Sequence, residues 1–188
     1  MAAIGLTRVE ALTTRSTVMT LDDLEQWLTA VVSTESNTVE KLIEHIFLAE
    51  LLQECWFCRR QLVEVLRSEV DAAGYDLILE SGGVIRHVQV KASRRGARTS
   101  KQTVNARLEQ RSGGCIIWIF YSVNPATSRA ELSYRWREAT SLPATRGRHS
   151  RGRGPRENTR VIRKGDFEEV PTISALVDRL FGDGAGRS

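Results

Sequence analysis

Residues 74–93, GYDLILESGGVIRHVQVKAS, decide how this chain is read. Two apolar runs, Tyr75 to Leu79 and Val84 to Lys91, flank Ser81, Gly82 and Gly83, the pattern of two antiparallel strands joined by a tight turn. Side chains alternate across a strand, so His87, Gln89 and Lys91 share one face while Val88 and Val90 take the other. Asp76 comes just after Gly74 and Tyr75, where a tight entry turn delivers a carboxylate across the ladder toward Gln89 and Lys91. Carboxylate, carboxamide and ammonium then converge on one spot.

That set suits phosphodiester hydrolysis. The reaction calls for a hard divalent cation on oxygen ligands, which lowers the pKa of a water and neutralises charge building on the phosphate. Asp76 and the side-chain carbonyl of Gln89 supply such ligands, and the Lys91 ammonium is placed to orient water and stabilise oxygen charge. A hard divalent cation is therefore the expected cofactor.

Upstream, Thr20 precedes Leu21, Leu24, Trp27, Leu28 and Val31 at helical spacing, and a longer helix is expected from about Thr38 to Cys55. On a helical wheel Glu44 falls near the middle of the apolar arc of Ile43, Phe47, Leu48, Leu51 and Cys55. A carboxylate there is costly unless partnered, whereas Glu50 and Glu54 sit toward the margin, so Glu44 is the choice for a third acidic ligand.

Gln61 to Leu66 reads as a strand before the hairpin. After the hairpin, Lys101 to Gln110 reads as a helix, Ser112 to Gly114 as a turn, and Cys115 to Ser122 as the buried central strand. Leu132 to Trp136 is expected at the sheet edge, and Ile173 to Phe181 as a last helix capped by Thr172 and ended by Gly182.

With these elements in order, EVDAAGYDLIL followed by RHVQVKAS resembles the PD-(D/E)XK nuclease superfamily over roughly positions 39 to 122. The resemblance implies an α/β, restriction endonuclease-like fold with a mixed four- to five-stranded sheet flanked by helices. It also implies a Mg²⁺-dependent site in which the family's Asp, Glu or Gln, and Lys fall on Asp76, Gln89 and Lys91. An acid on the first core helix is a habit of the family, which Glu44 matches. Gln89 departs from the commoner Glu and removes one negative charge. It is similar to the Q-x-K form of some restriction nucleases, whose D-x-x-G-x-D-like loop is matched by Asp71, Gly74 and Asp76.

Charge is distributed unevenly along the 188 residues. Positions 1 to 54 carry a net −6, 55 to 145 a net +6, 146 to 164 a net +7 and 165 to 188 a net −3. Basic residues on and after the core point to an anionic partner, nucleic acid and most simply DNA. Arg94, Arg95, Arg98 and Lys101 follow the Lys91 strand, and Arg148, Arg151 and Arg153 belong to an Arg- and Gly-rich loop, 146–164. That loop lacks the aromatic residues of a base-reading surface, so its contacts are expected with phosphates.

Residues 1–19 are expected to form a loose leader, and 20–188 one domain. No signal-peptide pattern and no apolar run of membrane-spanning length is visible, giving a cytoplasmic expectation with no membrane partner. Cys55 and Cys58 form a lone C-x-x-C and only Cys115 remains, so packing is favoured over a zinc or redox site. The reading is a Mg²⁺-dependent DNA endonuclease of restriction, defence or repair type, and a homodimer would let two sites address two strands. The alternatives are a nuclease-fold protein that has lost cleavage and binds nucleic acid or a protein, and an RNA-associated basic protein.

Overall fold

The computed structural model describes residues 34–68, 74–145 and 158–182, together with Asp23, Gln26, Trp27 and Ala30, which are helical. The leader 1–19, Asp71, and Arg148, Arg151 and Arg153 of the basic loop lie outside the described residues. In chain order the elements are α1 (Ser36–Gln53), β1 (Glu64–Arg67), β2 (Leu77–Ser81), β3 (Val84–Arg94) and β4 (Lys101–Asn105). Then come β5 (Gly114–Asn124), β6 (Arg129–Glu138), β7 (Thr159–Arg163), β8 (Glu168–Val170) and α2 (Ile173–Phe181). Among the described residues no helix is long and apolar enough to cross a membrane.

The α/β class stands, with a mixed sheet. Six strands run in the order β1-β2-β3-β5-β6-β8, and β4 and β7 form a separate two-stranded ribbon. Among the described residues only the β3–β5 pairing is parallel in the sheet, with Val90 opposite Ile117 and Lys91 opposite Trp118. The expected hairpin is present, Leu77 pairing with Val88 and Ser81 with Val84 around Gly82 and Gly83.

Each face of the sheet has its own core. Ile43, Phe47 and Leu51 of α1 and Leu176, Val177 and Leu180 of α2 pack on Leu77, Leu79, Val88, Ile117 and Ile119. On the other face Ile116, Trp118 and Phe120 meet Val104 and Ile162 of the ribbon, with Leu108 and Phe167. Strand β5 is therefore buried on both sides, which is why its sequence is a continuous apolar run rather than an alternating one.

Four expectations are corrected. Lys101 to Gln110 is not a helix: Lys101–Asn105 is a strand, and Ala106–Gln110 is a 3₁₀ turn that Asn105 caps by accepting the Arg107 N–H at 3.0 Å. Val104 is buried against Ile162, so period-two burial and a long-range ladder partner override helix propensity. Leu132 to Trp136 is not the edge, because Tyr134, Arg135 and Trp136 pair with Val170, Glu169 and Glu168 of β8. That added strand also raises the sheet from the expected four or five strands to six. Part of the 146–164 segment, Thr159–Arg163, is itself a strand rather than loop.

Smaller boundary shifts follow local geometry. The first strand spans Glu64–Arg67 instead of Gln61 to Leu66, and Gln61 turns its carboxamide to the Ser81 hydroxyl at 2.7 Å. The second begins at Leu77, leaving Tyr75 and Asp76 in the entry turn. Helix α1 ends in a wider π turn, Glu54–Cys58, that buries Cys55 and exposes Cys58.

Candidate functional site

The site arises where β2 stops. Its ladder to β3 begins at Leu77 opposite Val88, so beyond Val88 the corresponding edge of β3 has no β2 strand residue beside it. Asp76 occupies that place. Its backbone N–H donates to the Val88 carbonyl at 2.9 Å, and its carboxylate Oδ2 accepts the Val90 N–H at 2.7 Å. The acid thus takes the role of a missing ladder carbonyl and is fixed one residue before Lys91. Gly74, at φ +85°, makes the approach turn; a Cβ there would stand 3.0 Å from the Asn105 side chain.

A cavity of about 290 Å³ opens at this edge. Asn37, Glu40, Lys41 and Glu44 of α1, Asp76, and Val90, Lys91 and Ala92 of β3 line it. Glu44 is 5 % exposed and faces the core side of its helix, as its wheel position requires. Lys41 Nζ lies 3.1 Å from Glu44 Oε2, and Arg67 Nη1 lies 3.0 Å from Oε1. The Arg67 approach lacks hydrogen-bond geometry, so Oε1 is buried with a cation alongside but no donor aimed at it. A carboxylate oxygen in that condition has lone pairs to offer.

Gln89 is placed differently. It is 4 % exposed, does not line the cavity, and its Oε1 accepts the backbone N–H of Asn105 at 3.0 Å. Its carboxamide therefore ties β3 to the end of β4. His87 is likewise engaged, its Nδ1 2.8 Å from the Ser112 carbonyl and its ring edge-on to Tyr75. The structure accordingly brings Glu44, Asp76 and Lys91 to one cavity and leaves Gln89 outside its lining.

These residues can be tested against the implied cation. Among the described residues no group of three or more His, Cys, Asp and Glu side chains is arranged to hold a metal. Mg²⁺, however, is usually held by one or two carboxylates, with water and substrate phosphate completing its octahedron. Glu44, whose Oε1 accepts no hydrogen bond, and Asp76 in the same cavity meet that smaller requirement. Lys41 and Arg67 counterbalance Glu44, a pairing the sequence signalled only in part: Lys41 is one helical turn before Glu44, but Arg67 arrives from another strand.

Of the expected nucleic-acid contacts, Arg95, Arg98 and Lys101 are exposed. Arg94 is half-buried and shares the α1-facing side of β3 with Val90 and Ala92. The cysteines show no thiolate character. Burial pushes Cys55 up to about 11 and raises Cys115 well above the ordinary thiol range, while a hydrogen bond with Glu54 raises Cys58. No protein-family model matches the sequence, and no curated protein matches it.

Proposed function

We propose that this chain is a cytoplasmic, metal-dependent endonuclease that hydrolyses phosphodiester bonds in DNA, of the PD-(D/E)XK kind its hairpin resembles. The observation that carries the reading is that Glu44, Asp76 and Lys91 all line one cavity at the point where β2 gives way beside β3. Glu44 and Asp76 would hold Mg²⁺ or Mn²⁺. When bound, that cation supplies a more acidic water and charge neutralisation at the scissile phosphate.

The protein's own groups do the rest. Asp76 accepts the Val90 N–H, which fixes the direction of its carboxylate. Lys91 makes no ion pair among the described residues, leaving its ammonium to bind a phosphate oxygen or orient the attacking water. Gln89 supports the site from behind by fastening Asn105, against which the Gly74 turn packs.

A second reading has its own observation. Gln89 is already satisfied by Asn105, and Glu44 is already balanced by Lys41 and Arg67, an arrangement equally suited to a nuclease fold that binds without cutting. Purified protein with Mg²⁺ or Mn²⁺ on supercoiled, linear duplex, single-stranded and branched DNA and on RNA separates the two. Chelator-sensitive cleavage lost in Asp76→Ala supports the endonuclease; binding without cleavage on every substrate supports the alternative.

A further inference from the structure

At the far end of β3 a second cavity, of about 360 Å³, opens on a different set of side chains. Arg95, Phe120, Ser133, Arg135, Lys164 and Glu169 are prominent in its lining. Three of those six are cations. Only Arg135 is neutralised, by an ion pair with Glu169, whose side chain is 74 % exposed. Arg95 reaches only the Ser133 hydroxyl, at 3.3 Å, and the Lys164 ammonium sits 4.7 Å from the centre of the Phe120 ring. Neither Arg95 nor Lys164 forms an ion pair among the described residues.

The positions of these groups are fixed by backbone. The Arg95 N–H donates to the Tyr121 carbonyl at 2.7 Å, and the Lys164 N–H to the Ser100 carbonyl at 2.8 Å. Arg135 Nη1 donates to the Lys164 carbonyl at 3.2 Å, drawing the third cation to the same place. The two-stranded ribbon carries like charges as well. In the ribbon, Lys101 of β4 stands directly opposite Arg163 of β7, and like charges across an antiparallel pair are destabilising. Three cations, Arg95, Arg135 and Lys164, thus line one cleft with a single carboxylate, Glu169, an excess of positive charge that an anion would relieve.

We propose that this cleft grips a backbone phosphate of the nucleic acid, with Arg95 and Lys164 as the principal donors. Arg95 is four positions after Lys91, about 13 Å along an extended strand, so one polynucleotide can reach both cavities. The inference rests on a nucleic-acid ligand but not on cleavage.

The test is fluorescence anisotropy of a labelled DNA duplex, with chelator present, over a range of salt concentrations. Arg95→Ala with Lys164→Ala should weaken binding roughly tenfold or more at low salt, and should flatten the slope of log K against log salt by about 2. Lys164→Arg should bind like the parent. Inorganic phosphate titrated at constant ionic strength distinguishes a free anion from a polynucleotide. We expect no competition below millimolar concentrations, and micromolar competition overturns the assignment. An unchanged salt slope in the double variant overturns the cleft itself. Loss of binding in that variant, in a protein that cuts no substrate, supports the cleft while the hydrolase reading fails.

Discussion

The carboxylate of Asp76 accepts the backbone N–H of Val90 at 2.7 Å, and this one bond sets an acid beside the residue that precedes Lys91. A side chain here replaces a strand partner, so the end of a β-ladder and the start of a candidate active site are the same piece of structure. Asp76→Asn should keep a hydrogen-bond acceptor for Val90 while removing the charge. We expect cleavage to fall at least about 100-fold with little change in Tm, measured by initial rates and thermal melting.

Lys91 is assigned to phosphate oxygen or water, not to the cation. Lys91→Ala should therefore lower kcat by roughly 100-fold while Mn²⁺ affinity changes little or rises, since a nearby positive charge has gone. A parallel loss of metal affinity and kcat would place Lys91 among the groups that build the cation site.

Gln89 is separable from both. Removing its carboxamide in Gln89→Ala leaves the half-buried Asn105 N–H without its acceptor, costing about 1 kcal/mol of stability by denaturant unfolding. Mn²⁺ affinity should drop no more than a few-fold. A hundredfold loss of affinity at unchanged stability would put the carboxamide oxygen on the metal instead.

Away from the site, Arg59 ties the turn after α1 to α2. It is 3.1 Å from Glu54 Oε1 and 2.5 Å from Asp178 Oδ1, and it donates to the Ser174 carbonyl at 2.6 Å. A hydrogen bond from Ser174, aided by Arg59, holds the Glu54 carboxyl below its ordinary value of 4.5. A depressed carboxyl pKa contributes stability that is present above 4.5 and disappears as pH falls through the lower folded value. The stability difference between parent and Glu54→Gln should accordingly be larger at pH 7 than at pH 3, measured by urea unfolding at both.

Much of this was legible in local patterns. The hairpin could be read because Gly82 and Gly83 interrupt two period-two runs, and the inward position of Glu44 because helical periodicity places it among Ile43, Phe47 and Leu51. Ribbon strand β4 has a helix-like local sequence, because its partner, Thr159–Arg163, is far away in sequence and nothing local announces the pairing. Strand β8 is three residues long and mostly acidic, so it carries almost no strand signature apart from its place beside Tyr134 to Trp136. Alternation assigned Gln89 to a face correctly opposite Val88, but a face does not say what a carboxamide binds. The Asn105 N–H that engages it comes from the misread segment.

Isothermal titration of Mn²⁺ into the parent protein and Asp76→Ala tests the central claim most directly. We expect saturable binding in the parent that the substitution largely removes. Equal heats in the two proteins would contradict a cation site built on Asp76.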